Sequence, residues 1–103
     1  MSRWVRVASV REVAPGTGKV VEAEGQSLAL FNVDGTFYAL DNTCTHVGGP
    51  LGEGALAGEV VACPWHGAEF NVRTGAVLSP PARQDVRPFS VRVEGEDVLV
   101  ELD

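Results

Sequence analysis

The chain has 103 residues, 45% of them hydrophobic, and a formal net charge of −6. That length suits one domain with one core. The acidity argues against nucleic acid, whose binders carry basic patches, and no apolar run approaches the ~18 residues of a membrane span. Hydrophobic alternation runs with a period of two and shows no sustained helical period, which predicts an all-β fold, an antiparallel sandwich or barrel. Arg3 to Ala8 and Lys19 to Ala23 predict the first two strands, separated by the turn residues Pro15-Gly16-Thr17-Gly18. Ser27 to Val33 and Thr36 to Leu40 flank Asp34-Gly35, the strongest short hairpin signal in the chain. Residues 42–82 are rich in Gly and Pro and lack the alternation, so they predict a small subdomain mounted on the β-structure. Val91 and Val93, then Val98 and Val100, alternate with polar residues across Glu94-Gly95-Glu96, which predicts a C-terminal hairpin. Residues 1–103 are thus expected to form a single domain. The sequence carries no charged-then-apolar N-terminal segment of the secretory kind, and the expected location is the cytoplasm.

Cys44-Thr45-His46 and Cys63-Pro64-Trp65-His66 use every Cys and every His of the chain. Two thiolates and two imidazoles make a four-ligand set whose softness points to iron or zinc and away from magnesium or calcium. Val47-Gly48-Gly49-Pro50-Leu51-Gly52 follows the first pair, and Pro64 and Gly67 lie in and after the second. Glycine lets backbone approach an inorganic centre closely, and proline stiffens the loop that holds it. A structural disulfide is the weaker reading, because each Cys sits beside a His and nothing else suggests a disulfide scaffold. Tetrahedral zinc is the stronger alternative, although zinc fingers usually pair Cys with Cys and His with His, whereas both pairs here are mixed. Trp65 reads as an apolar cover over the loops in preference to an electron relay. There is no Ser/His/Asp constellation and no phosphate-binding Gly loop.

The run from Cys44 to Leu51, followed by Cys63-Pro64-Trp65-His66-Gly67, resembles a Rieske-type [2Fe-2S] centre, in which two His replace two Cys on one iron. The strict match covers residues 44–67, and a looser likeness covers the whole chain. The resemblance implies a Rieske-like β base with a cluster-binding subdomain at residues 42–82. It places Cys44 and Cys63 on the inner iron and His46 and His66 on the outer one. It also implies an electron-exit tip at His46 and His66, surrounded by Gly48, Gly49, Trp65 and Pro81.

The departures from the respiratory branch narrow the likeness. That branch carries two further Cys, joined as a disulfide, at the positions occupied here by Gly49 and Trp65. It also follows the second His with Gly-Ser-x-Tyr, where this chain has Gly67-Ala68-Glu69-Phe70. Hydroxyl donors to sulfur stabilise the reduced state, so their loss implies a potential nearer about −150 mV than about +300 mV. The chain is accordingly similar to the soluble Rieske ferredoxins of bacterial ring-hydroxylating dioxygenase systems. That likeness implies an electron carrier and not an enzyme, with one [2Fe-2S] cluster per chain. A flavin-dependent NADH reductase would supply its electrons and a terminal oxygenase would accept them, in aromatic hydrocarbon catabolism. Two alternatives stay open on sequence: the small subunit of an assimilatory nitrite reductase, partnered by the large subunit, and a structural zinc-binding module.

Overall fold

The computed structural model describes residues 3–43, 49–65, 67–79 and 84–102, and these form antiparallel strands and two short 3-10 turns with no α-helix among them. β1 (Arg3–Ser9), β2 (Thr17–Ala23), β3 (Gln26–Val33) and β4 (Thr36–Asp41) lie where alternation places them, within a residue or two. One boundary differs in substance. Thr17 and Gly18, expected in a turn, open β2 and pair with Asn32 and Phe31. The turn closes earlier, where Thr17 donates from its backbone N–H and its hydroxyl to the Ala14 carbonyl, at 3.1 and 2.6 Å. Gly18 serves close packing instead: a Cβ there would stand 2.7 Å from two carbons of the Phe31 ring.

Two tight hairpins follow in succession. Glu24-Gly25 joins β2 to β3 and Asp34-Gly35 joins β3 to β4, with φ of 50° and 86°, then 55° and 95°. Positive φ at both loop residues is the type I′ pattern, whose twist matches that of the flanking strands. Asn32, the one buried polar residue among those described, ties this region together. Its Nδ2 donates to the Val13 carbonyl at 2.8 Å, and its Oδ1 accepts from Gly35 N–H at 2.7 Å.

The remaining strands are β5 (Ala55–Ala57), β6 (Val60–Ala62), β7 (Glu69–Asn71), β8 (Val77–Ser79), β9 (Pro88–Phe89), β10 (Val91–Glu94) and β11 (Asp97–Leu102). They complete three sheets, ordered β1-β11-β10, β2-β3-β4-β9 and β5-β6-β7-β8. The last sheet was not legible as strands in the sequence, because three residues hold too little alternation to show a period. The predicted C-terminal hairpin is β10–β11, with Gly95-Glu96 as its loop and Val93 opposite Val98. Val98 and Val100 are fully buried, while Val93, on the sheet edge, is 46% exposed.

The middle sheet packs on both faces, as the alternation of β3 dictates. Leu28 and Leu30, with Ala39 of β4, face Val98, Val100 and Leu102 of β11 in one core. Ala29 and Phe31, with Leu40 of β4, face the other way, into a second core with Leu51, Val61, Cys63, Ala68, Phe70, Val72 and Val86. Burial of a large aliphatic or aromatic side chain contributes about 1.5–3 kcal/mol, so β3 and β4 stabilise both cores at once. Val86 enters the second core from a segment bonded to the start of β8 and the turn before it. Its N–H donates to the Gly75 carbonyl at 2.8 Å, and Asp85 Oδ1 accepts from Val77 N–H at 2.9 Å.

Candidate metal centre

Cys63 follows the last residue of β6 and is 2% exposed, its sulfur belonging to the second core with Leu51, Ala68 and Phe70. Two backbone bonds shape the turn that leaves it. Cys63 N–H donates to the Ala68 carbonyl at 2.8 Å, and Gly67 N–H donates to the Cys63 carbonyl at 2.9 Å. Pro64 and Trp65 therefore sit on a closed loop between β6 and β7. Trp65 is 59% exposed and belongs to neither core.

The other motif segment leaves β4. Its base is pinned by Asn42, a residue that the metal-ligand pattern did not single out. The Asn42 carbonyl accepts from Leu51 N–H and its Oδ1 accepts from Gly52 N–H, both at 2.8 Å. Thr43 N–H donates to Asp41 Oδ1 at 2.9 Å, and Thr43 and Pro50 form an isolated antiparallel bridge. The two ends of the segment between Thr43 and Pro50 are thus held side by side. The only sequence signal for this was an Asx residue just ahead of a motif.

Gly49 is where the two segments meet. A Cβ on Gly49 would lie 2.6 Å from Cys63 Sγ and 3.3 Å from Cγ and Cδ2 of the Trp65 indole. Real Cβ atoms do not approach sulfur so closely, so the absence of a side chain at Gly49 leaves the space beside the thiol clear. Of the four proposed ligands, the structure thus positions Cys63 at this junction, while Cys44, His46 and His66 lie outside the described residues, as do Gly48 and Pro81. Ala68 and Phe70, at the positions that lack hydroxyls, are both 0% exposed in the same core as Cys63. A buried sulfur at the end of a strand, met by glycine backbone from a second Gly/Pro segment, fits a thiolate-held inorganic group.

Ion pairs among the described residues tie the base together. The ion pairs Arg3–Glu24, Arg6–Asp97, Arg11–Glu96, Lys19–Glu12 and Arg92–Glu94 all lie on the strands and turns of the first two sheets. Hydrogen bonding to Glu24 and to Asp97 raises the pKa of Arg3 and of Arg6 above the ordinary arginine value. These perturbed groups belong to the base and not to the surroundings of Cys63. Among the described residues no helix is long and apolar enough to cross a membrane.

Comparison with known proteins agrees with this geometry. Residues 3–99 match the model of the Rieske [2Fe-2S] domain family. The chain is 44% identical to the biphenyl dioxygenase ferredoxin subunit of Pseudomonas sp. (strain KKS102), over 95% of this chain and 91% of that protein. Its fold superposes on the Sphingomonas yanoikuyae B1 ferredoxin with a TM-score of 0.91 at 31% identity, covering 98% of this chain and 100% of the other. It matches a chain in the complex of reduced oxygenase and oxidized ferredoxin in carbazole 1,9a-dioxygenase with a TM-score of 0.88 at 40% identity, covering 94% and 91%. With a family match across nearly its whole length and a ferredoxin fold around the Cys63 loop, the chain belongs to the Rieske [2Fe-2S] domain family.

Proposed function

We propose that this protein carries single electrons on a [2Fe-2S] cluster held by Cys44, His46, Cys63 and His66. Electrons would come from a flavin-dependent NADH reductase and pass to the terminal oxygenase of a ring-hydroxylating dioxygenase system. The observation that carries this reading is the junction of Gly49, Cys63 and Trp65, where the glycine run that follows the first motif meets the Cys63 loop within a ferredoxin fold. On this reading residues 42–82 form the cluster-binding subdomain of a single domain spanning 1–103, and the protein works in the cytoplasm as a carrier with no substrate chemistry of its own.

The cluster, when bound, supplies a one-electron store, and two neutral imidazoles in place of thiolates lift its potential above that of all-Cys clusters. The chain's own residues do the rest. Cys63 presents its sulfur at the end of β6, where two backbone bonds fix its loop. Leu51, Ala68 and Phe70 keep the inner side of that loop apolar, and Gly49 lets the neighbouring backbone pass the sulfur. The dioxygenase role is favoured over the nitrite reductase small subunit by the 44% identity to a dioxygenase ferredoxin subunit. The −6 charge favours docking to positively charged partners.

Metal analysis and stopped-flow spectroscopy test this reading together. The purified protein should contain iron and acid-labile sulfide in equal amounts, and Cys44→Ser, Cys63→Ser, His46→Ala or His66→Ala should each abolish the visible absorption. Mixing the reduced protein with a ring-hydroxylating terminal oxygenase should restore the oxidised spectrum. Zinc without acid-labile sulfide would overturn the cluster. Electron delivery to a nitrite reductase large subunit, with none to the oxygenase, would overturn the partner assignment.

A further inference from the structure

Trp65 is the largest side chain at the candidate centre and the least explained by the fold. It lies outside both cores and leaves 59% of its surface in water, although Trp is costly to expose. Its ring nevertheless occupies one definite place. The indole carbons Cγ and Cδ2 and the Cys63 sulfur border the same small volume, the one that a Cβ on Gly49 would fill. Gly49 has no side chain and Trp65 has the largest possible, so the indole borders the space that Gly49 leaves beside the sulfur. The inner side is already closed by Leu51, Ala68 and Phe70, each 0% exposed.

We infer that Trp65 is a positioning residue that controls water access to the Cys63 sulfur, and through it the potential and the persistence of the bound cluster. The inference rests on the ligand role proposed for Cys63. Its direction follows from charge. Reduction adds one negative charge to the site, and water near the sulfur stabilises that charge. An apolar ring that keeps water away therefore disfavours the reduced state and holds the potential down. The same ring slows attack on the cluster by any solvent-borne agent. Removing it should raise the potential and shorten the cluster's lifetime together, two effects with one cause.

The test uses the cluster-loaded protein and the variants Trp65→Phe, Trp65→Leu and Trp65→Ala. Two readouts are needed: the midpoint potential by voltammetry, and the rate at which a chelator bleaches the visible absorption. Trp65→Ala should bleach about tenfold faster or more, the usual scale for disturbing the surround of a metal ligand, and its potential should move to more positive values. Trp65→Phe, which keeps a ring over Gly49, should restore most of both properties, with Trp65→Leu between. Should Trp65→Ala not retain a cluster, the Leu and Phe variants decide on the same two readouts. An unmoved or lowered potential in Trp65→Leu overturns the inference, as does faster bleaching with no change in potential, which would mark Trp65 as a mechanical latch. Iron and sulfide content of the wild type reports separately on the cluster itself, so a failure of the ligand assignment is not confused with a failure here.

Discussion

β3 buries five consecutive residues, Leu28 to Asn32, whereas each strand of the β5–β8 sheet is three residues long and buries at most one. The first pattern is what hydrophobic burial produces when a strand is covered on both faces. The second is too short to be selected by burial alone, and its position comes from backbone bonds. Gly67 N–H closes on the Cys63 carbonyl, Gly75 N–H closes on Asn71, and Val86 N–H reaches back to Gly75. The difference teaches that the base is specified by side-chain pattern, while the sheet that presents Cys63 is specified by where backbone passes close to backbone. Substitutions that remove apolar volume from β3 should therefore damage the whole molecule, and a methyl added where backbone passes close to backbone beside the β5–β8 sheet, as at Gly75, should damage the Cys63 side alone.

The largest effect should come from Phe31→Ala. Phe31 is 0% exposed, packs against Gly18, and sits on the strand shared by both cores. Truncating a buried Phe costs about 3–5 kcal/mol, a large part of the ~5–15 kcal/mol that holds a typical domain together. Urea unfolding followed by far-ultraviolet circular dichroism and by visible absorption should show both signals moving together to lower denaturant. Loss of the visible signal with the β signal untouched would break the comparison, since it would confine Phe31 to one side.

Gly75→Ala should act locally and less strongly. Gly75 has φ of +79°, and a Cβ there would lie 2.0 Å from the Val86 carbonyl oxygen. Backbone strain of this kind costs of order 1–3 kcal/mol, and the clash must push the segment carrying Asp85 and Val86 off the turn after β7. Amide exchange should accelerate at Val77 and Val86, whose N–H groups bond to Asp85 Oδ1 and the Gly75 carbonyl, and stay slow at Leu30 and Val100. Equal acceleration at all four amides would show that the two regions open as one unit.

The sequence was legible wherever a pattern had room to repeat. Runs of five residues or more announce β1 to β4, the spaced valines announce the β10–β11 hairpin, and Asp34-Gly35 announces its own. The β5–β8 sheet was read only as a Gly/Pro-rich stretch, because strands of three residues carry no period. Val86 has only polar residues and Pro88 near it in sequence, and its burial goes with the bond from its N–H to the Gly75 carbonyl. The candidate ligands were legible as a motif. The approach of Gly49 to the Cys63 sulfur was not, because it depends on two loops far apart in sequence and held by Asn42 and β6. Glu24-Gly25 was missed for a different reason: Glu is not a residue that favours positive φ, so a type I′ hairpin was not expected there.

That last turn supplies the smallest and most finely balanced prediction. Glu24 adopts φ of 50°, a region that Asn tolerates far better. Its carboxylate accepts from Arg3 Nε at 2.8 Å and also contacts Arg3 Nη2, with both side chains about half exposed. Glu24→Asn exchanges that exposed ion pair for a better turn residue. The hydrogen bond from Arg3 holds the Glu24 pKa below its ordinary value, against a smaller opposing push from partial burial. A carboxylate depressed in the folded state contributes stability above its unfolded pKa and loses it as pH falls through the folded value. The pair therefore weakens on acidification, and salt screens it at any pH, while the turn preference of Asn depends on neither. At neutral pH and low salt the thermal midpoints of wild type and Glu24→Asn should lie close together. Toward the acid side of the carboxylate range, or at high salt, the variant should become the more stable of the two. If the variant is still the less stable of the two once the pair is lost, the backbone of Glu24 is not strained, and the hairpin owes its form to Gly25 alone.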